Sequence, residues 1–346
     1  MKRRLQFFIV GVLVLSLLFL ASCGADFGVD GNAEQTDEGA EGDISEREDL
    51  IVVGVCQVGS ESVWRTANTE SIQQTFTGDN GYFLIFNNAR QKQENQIKAV
   101  RRFISQKVDY IVISPITEDG WDTVLKEAKD AEIPVILMDR KVNVSDPELY
   151  TAWVGSDFFL EGKNAGEWLE QYLEKKGMSE EEIHIVVLQG TEGSSAMIGR
   201  SKGFESVADK HKNWIILEQA GAEYTTAKAK EEMKRMLDKY PDIDVVVSQN
   251  DDMTFGAIDA IEECGLTAGE EGDVILISFD AVYTALKLVE AGKIGVDVEC
   301  NPLQGPYVES IIKALEYNWG FEKENYVPEQ VFYKENVSEF LPDRKY

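Results

Sequence analysis

Histidine and positive charge are both scarce in this sequence. Its 346 residues include two histidines, His184 and His211, and 34 lysines and arginines against 62 aspartates and glutamates, a formal net charge of −28. Two histidines give little material for a histidine-based metal site or catalytic triad. The deficit of basic residues argues against nucleic acid or an anionic membrane surface as a partner, because both are bound through lysine and arginine patches.

Cysteine is also scarce. Besides Cys23, the chain has only Cys56, Cys264 and Cys300, and their spacings match no zinc-binding pattern. We predict that all three are small buried thiols. The sequence alone leaves open whether two of them pair.

Long apolar runs are missing as well. The longest one, residues 7–20, is shorter than the ~20 residues of a membrane-spanning helix. It follows the basic residues 2–4 and ends at Ala21-Ser22-Cys23, an order that is typical of an export signal. The tetrapeptide L-A-S-C resembles a bacterial lipobox, which implies a signal peptide over 1–22 and lipid on Cys23. An ordinary signal peptide that happens to contain a cysteine is the alternative.

Residues 23–49 are rich in Gly, Asp and Glu and show no hydrophobic periodicity. Such a segment is predicted to be an acidic, flexible tether. We therefore expect a protein outside the cytoplasm, lipid-anchored at the outer face of the cytoplasmic membrane, or on the periplasmic side if the cell has two membranes. The lipid is the expected membrane contact.

From about residue 50, short apolar runs rich in β-branched residues alternate with helical patterns. Ile97, Val100 and Ile104, for example, have the spacing of one helix face. This alternation predicts α/β architecture with a parallel sheet covered by helices on both faces. It occurs twice, before residue 157 and again from residue 183, so we predict two doubly wound parallel-sheet lobes.

Hydrogen-bonding side chains follow almost every predicted strand. Doubly wound sheets place their ligands at the carboxyl ends of the strands, so these side chains are predicted to share one polar cleft. In the stretch SQNDDMTFGA, residues 248–257, the adjacent Asp251 and Asp252 lack the alternating spacing of a calcium loop and are predicted to cap a helix. No metal site and no cofactor is predicted.

Catalysis is not predicted either. Each candidate acid has an arginine, asparagine or serine beside it, and a carboxylate next to arginine stays ionised. Neither G-x-S-x-G nor H-E-x-x-H occurs. A neutral sugar fits such a cleft best, because its hydroxyls both donate to carboxylates and accept from arginine. Trp64 and Tyr224 are candidates for stacking on the sugar, with core packing as their alternative role.

Several motifs together resemble the sugar-binding lipoproteins and periplasmic proteins of ABC sugar importers, of the ribose/galactose type and in particular the galactofuranose-binding members. These motifs are QVGSESVWRTANTES, RQKQENQIKAVR, VLKEAKDAEIPVILMDR, LQGT, RSKGF, NDDMTFGAIDAI and SFDAVY, within a resemblance that covers about residues 50–345. It implies the type I periplasmic-binding-protein fold, with an N-lobe of 50–155 plus 302–325, a C-lobe of 156–300 plus 326–346, and a three-segment hinge.

The resemblance also implies the ligand-binding residues. They are Ser62, Trp64, Arg65, Ser114, Asp139 and Arg140 in the first lobe, Ser156 or Asp157 at the first crossing, Arg200, Tyr224, Asn250 and Asp280 in the second lobe, and Glu299 or Asn301 at the crossing near residue 300. The last position departs from the glutamine that many ribose-type relatives carry, and the sequence does not decide between the two residues.

The function that follows from the resemblance is a monomeric receptor that closes on one monosaccharide and delivers it to the permease subunits of an ABC transporter. The ligand expected is a furanose, galactofuranose first and arabinofuranose second. The alternative function is a sugar sensor that presents its ligand to a membrane sensor kinase or chemoreceptor.

Overall fold

Two six-stranded sheets form the framework of the protein. The computed structural model describes residues 50–346. The predicted signal peptide, Cys23 and the acidic tether lie outside the described residues. In the described part of the chain, no helix is long and apolar enough to cross a membrane.

The first sheet has the strand order β11-β5-β4-β3-β1-β2, and all of its strands run parallel. Its strands are β1 (Ile51–Gln57), β2 (Tyr82–Asn88), β3 (Tyr110–Ile113), β4 (Val135–Met138), β5 (Ala152–Gly155) and β11 (Glu324–Tyr326). The helices packed with it are α1 (Val63–Thr75), α2 (Gln93–Gln106), α3 (Asp122–Asp130) and α9 (Gly305–Glu316). Together they are called the first half.

The second sheet has the order β12-β10-β9-β8-β6-β7 and is parallel except for the pair β10–β12. Its strands are β6 (Ile183–Gln189), β7 (Trp214–Gly221), β8 (Val245–Ser248), β9 (Ile275–Asp280), β10 (Val296–Glu299) and β12 (Val331–Tyr333). Its helices are α4 (Phe158–Lys176), α5 (Ser195–Ala208), α6 (Thr226–Lys239), α7 (Asp251–Glu263) and α8 (Tyr283–Glu290). Together they are called the second half.

Both faces of each sheet are buried. In β1, Val53 and Val55 face one core cluster while Val52 and Cys56 face another. Burial on both faces is the reason that these strands appear in the sequence as nearly continuous apolar runs. The predicted fold class, two mostly parallel sheets flanked by helices, is confirmed.

The chain changes sheets three times: after β5, after β10, and between β11 and β12. The segment YVPEQVFYK, residues 326–334, does not form one continuous strand. In the structure Pro328 lies between β11 and β12, which belong to different sheets. Proline has no backbone N–H to donate to a ladder, so the strand cannot run through it.

The prediction that all three cysteines are buried is wrong for one of them. Cys56 and Cys264 and Cys300 are all free thiols, and Cys264 is exposed. Cys264 lies at the C-terminal cap of α7, where the chain leaves the core, whereas Cys56 is inside a central strand.

Helices α4 and α5 approach each other through glycine. A Cβ atom on Gly203 would lie 2.1 Å from the Phe159 carbonyl oxygen and 2.7 Å from the Lys163 nitrogen. Both are backbone atoms, so neither can move aside without displacing α4.

We therefore predict that Gly203→Ala lowers the free energy of unfolding by about 2–3 kcal/mol, as overpacking against rigid neighbours does. Gly78→Ala is the matched control, because nothing lies within 4 Å of its Cβ position. Chemical denaturation of both variants measures the difference, and an equal effect would contradict the close approach.

Candidate functional site

A cavity of about 300 Å³ lies between the two halves, at the carboxyl ends of their parallel strands. Nine of the predicted site residues line it, with four that the sequence analysis did not select. The predicted ones are Ser62, Trp64, Arg65, Asp139, Arg140, Arg200, Tyr224, Asn250 and Asp280; the others are Glu61, Phe158, Ala196 and Cys300.

Arg65 is the centre of the charge network in the first half. Its Nε lies 2.9 Å from Glu61 Oε1 and its Nη2 lies 2.8 Å from Asp139 Oδ2. Burial alone would lower the pKa of Arg65, but the charges of Asp139 and Glu61 raise it further than burial lowers it. The guanidinium is therefore a permanent, fixed cation in the wall of the cavity.

The second half repeats this arrangement around Arg200. Its Nε lies 2.6 Å from Glu161 Oε2 and its Nη2 lies 3.2 Å from Asp280 Oδ1. One guanidinium serves two buried carboxylates, and burial raises the pKa of both Asp280 and Glu161 despite the arginine. Each half thus contributes one buried arginine held between two acids.

Two aromatic side chains form the apolar part of the wall. Trp64 donates its indole N–H to the Cys300 carbonyl oxygen at 2.5 Å. Tyr224 lies under Arg140, whose guanidinium carbon is 5.2 Å from the ring centroid. A Cβ atom on Gly190 would come within 1.9 Å of the Tyr224 ring, so a glycine is required there. Both aromatics line the cavity and also pack into a core cluster of the second half, which bears out the core packing; stacking on a sugar stays a prediction.

Three polar atoms of cavity-lining residues are buried and have no hydrogen-bond partner among the described residues: Glu61 Oε2, Arg140 Nε and the Tyr224 hydroxyl. One is an acceptor, one is a donor, and the hydroxyl is both. A buried polar group without a partner costs about 1–3 kcal/mol, so this set indicates that a polar ligand completes the site.

The backbone is strained at three cavity residues. Asp139, Tyr224 and Asp280 have φ values of 64°, 60° and 106°, in the left-handed region that non-glycine residues rarely adopt. Such strain persists where the surrounding structure imposes it and concentrates at binding sites. Here it turns the side chains of strand-end residues into the cavity.

The roles predicted for Asn250, Asp251 and Asp252 need correction. Asn250 lines the cavity, as predicted, but it is also the residue that caps α7, accepting from the Met253 N–H at 2.9 Å. Asp251 is the first residue of α7 and is buried, and Asp252 accepts from the Val63 N–H across the cleft at 3.0 Å. The cap is therefore the asparagine, because its extended backbone aims the side-chain oxygen at the helix N-terminus.

Five predicted site residues do not line the cavity. Ser114 supports it from behind by hydrogen bonds to Arg65 and Asp139. Asp157 caps α4, and Ser156 donates to Glu329. Glu299 is paired with Arg344 at 2.6 Å, and the Asn301 side chain accepts from the Leu303 N–H. Neither Glu299 nor Asn301 lines the cavity, because Glu299 is paired with Arg344 and Asn301 is hydrogen-bonded within its own loop.

Sequence reasoning missed Glu61 and Cys300 for different reasons. Glu61 stands inside the S-E-S loop that was singled out, and its spacing of four residues from Arg65 was a usable signal. Cys300 contributes its backbone carbonyl to Trp64, and no sequence pattern reports a backbone contact.

Comparison with known proteins identifies the class. A family model described as "Periplasmic binding protein domain" matches residues 53–302. The chain is 39% identical over 297 residues to the galactofuranose-binding protein YtfQ of Escherichia coli (strain K12), covering 85% of this chain and 88% of that protein. This chain therefore belongs to the periplasmic binding protein family, and the resemblance inferred from its motifs is confirmed.

Two solved structures have the same fold. A Mycobacterium smegmatis protein in complex with β-D-fucofuranose is 38% identical with a TM-score of 0.81, over 85% of this chain and 95% of that one. The binding component of the arabinose ABC transporter from Shewanella sp. ANA-3, bound to α- and β-L-arabinofuranose, is 39% identical with a TM-score of 0.78, over the same shares.

The ion pair of Asp139 leads to a stability prediction. Asp139→Asn keeps the shape of the side chain and tolerates the left-handed backbone, but it removes the charge between two buried guanidiniums. We expect a loss of about 3 kcal/mol, the typical effect of breaking a buried pair. Asp130→Asn, which breaks an exposed pair with Lys126, is the control and should change stability by less than about 1 kcal/mol. Urea denaturation measures both; equal small effects would contradict the network.

The strained turn after β9 is held by two buried carboxylates. Asp251 accepts from the Val282 N–H at 2.8 Å and Asp297 accepts from the Ala281 N–H at 3.0 Å. Burial raises the pKa of Asp297 to about 7 and also raises the pKa of Asp251, which lies beside it. The folded protein therefore keeps a proton here that the unfolded chain releases near pH 4.

This proton makes stability depend on pH. The contribution of Asp297 is largest below its unfolded pKa and is lost as the pH rises towards about 7, with a slope of about 1.4 kcal/mol per pH unit. Asp297→Asn, which keeps the acceptor oxygen, should flatten the decline in stability between pH 5 and 7. Thermal unfolding across that range tests it, and an unchanged slope in the variant would contradict the assignment.

Proposed function

We propose that this protein is an extracytoplasmic receptor that closes on one monosaccharide, a furanose, and delivers it to an ABC importer. The observation that carries the proposal is the trio of partnerless buried atoms on Glu61, Arg140 and Tyr224, together with the two buried arginines. Sugar hydroxyls donate to the carboxylate, accept from the arginine and do both with the phenol.

Closure of the two halves on the ligand is part of this proposal. Contacts already join the halves across the cleft, such as Lys141 N–H to Ser195 Oγ at 2.9 Å and Glu118 N–H to the Gly193 oxygen at 2.9 Å. The first half corresponds to the N-lobe of 50–155 plus 302–325 and the second half to the C-lobe of 156–300 plus 326–346. The three passages between the sheets act as the hinge.

The choice of a furanose is supported by the relatives. The names of YtfQ and of the two solved structures refer to galactofuranose, fucofuranose and arabinofuranose. Arg65 beside Trp64, with its guanidinium carbon 4.7 Å from the indole centroid, places a buried positive charge next to an apolar face. We place galactofuranose first and arabinofuranose second.

The setting proposed for the receptor has four elements: lipid on Cys23, the extracytoplasmic side of the membrane, a monomeric state and ABC permease subunits as partner. It is a binding protein and not an enzyme. A sensor that presents the sugar to a kinase has less support, because the arabinose-binding relative is a component of an importer.

Calorimetric titration with methyl galactofuranosides, L-arabinose, D-fucose, D-ribose and D-glucose tests the proposal. One-to-one binding of a furanose is expected, at least ten times tighter than D-glucose. Aldoses present only a fraction of their molecules in the furanose form, so their apparent affinity should be reduced by that fraction. Failure of every sugar to bind would remove the assignment.

Tyr224→Phe gives a sharper test within the site. It removes one hydroxyl and keeps the packed ring, so affinity should fall by about 3–10-fold, the effect of one hydrogen bond. Tyr283→Phe is the control, since that tyrosine is exposed and outside the cavity lining. Unchanged affinity in Tyr224→Phe would mean that the phenol does not contact the ligand.

A further inference from the structure

The three passages between the sheets meet at one polar cluster. Ser156 follows β5, Cys300 follows β10, and Glu329 lies between β11 and β12. Ser156 Oγ lies 3.3 Å from Cys300 Sγ and also donates to Glu329. Glu329 in turn accepts from the Asn301 N–H at 2.9 Å. Side chains from three distant parts of the sequence are thereby brought together.

A fourth side chain, Glu161 of α4, completes this cluster. The Cys300 thiol and one carboxylate oxygen each of Glu161 and Glu329 all lie within 4.8 Å of one another. Glu161 is only 2% exposed; its Oε2 is paired with Arg200, but its Oε1 is buried without a hydrogen-bond partner among the described residues. An acceptor so placed, beside a second carboxylate and a thiol, indicates a positive partner.

A second cavity gives access to the two glutamates of the cluster, and Cys300 is not among its lining residues. It has a volume of about 570 Å³ and its lining includes Glu161 and Glu329, together with Asp157 and Glu299. No lysine or arginine is among its lining residues. Glu161 and Glu299 are paired with Arg200 and Arg344, so Asp157 and Glu329 are the carboxyl groups of this opening that are left to favour a cation over an anion.

We propose that Glu161, Cys300 and Glu329 form a binding site for a zinc ion at the junction of the three passages. One thiolate and two carboxylates are ligands that Zn²⁺ accepts, with the fourth tetrahedral position left for water. The thiolate selects against Ca²⁺ and Mg²⁺, which prefer oxygen ligands alone. The site adjoins the sugar cavity, because Cys300 also lines that cavity and Glu161 is paired with Arg200 of its wall, but the inference does not depend on the proposed function.

Zinc binding at this cluster requires the Cys300 thiol and the carboxyl groups of Glu161 and Glu329 in their deprotonated forms. When Zn²⁺ binds, the S–H bond of Cys300 breaks, the Zn–S bond forms and the proton leaves to solvent, as does any proton that a carboxyl group holds.

The test uses Co²⁺ as a spectroscopic substitute for Zn²⁺. Reduced full-length protein is titrated with Co²⁺, and the near-ultraviolet charge-transfer absorption of a cobalt–thiolate bond is recorded, followed by calorimetry with Zn²⁺. We expect one ion per chain, loss of the absorption in Cys300→Ser, and at least tenfold weaker Zn²⁺ binding in Glu329→Gln, the usual size of a ligand or supporting-group effect. Zinc should also raise the melting temperature of the unaltered protein.

Cys264→Ser is the matched control, because that thiol is exposed and lies outside the cluster. Its absorption should equal that of the unaltered protein. Absorption that persists in Cys300→Ser, that disappears in Cys264→Ser, or that never develops in the folded unaltered protein would overturn the site. Circular dichroism checks that each variant folds. If Cys300→Ser does not fold, Zn²⁺ binding by Glu329→Gln becomes the deciding measurement.

Discussion

The site depends on keeping two arginines charged inside a protein. Arg65 and Arg200, one in each half, are each held between two carboxylates, and one of the two acids is in each case a strand-end residue, Asp139 or Asp280. Buried charges are tolerated only when they are paired and hydrogen-bonded. The consequence is a cavity whose wall is lined with fixed donors and acceptors before any ligand arrives.

This constraint connects the fold to binding. Parallel strands end at the same edge of each sheet, so both strand-end acids line the cavity between the halves. Positive φ values at Asp139 and Asp280 show that the backbone is bent to aim them inward. Buried atoms that have no hydrogen-bond partner after the two halves meet, such as the Tyr224 hydroxyl and Arg140 Nε, then define the hydrogen-bond pattern that a ligand must supply. Specificity in such a site comes from buried polar groups that a wrong ligand would leave without partners.

Much of this arrangement could be predicted from the sequence because strand ends and motifs are local features. The two parallel sheets were accessible through the β-α alternation, and Asp139 and Asn250 through their place directly after apolar runs. Contacts formed between distant segments were not accessible. Arg344, far along the chain, forms an ion pair with Glu299. Cys300 accepts the Trp64 indole N–H through its backbone carbonyl oxygen. For the same reason a cluster assembled from three passages leaves no spacing pattern in the sequence.

A crystal structure of the protein grown with galactofuranose measures the central claim most directly. The account predicts one sugar in the cavity between the halves, with ring or arm hydroxyls within hydrogen-bond distance of Glu61 Oε2, Arg140 Nε and the Tyr224 hydroxyl. A sugar bound elsewhere, or a cavity that closes with these three atoms still without partners, would contradict it.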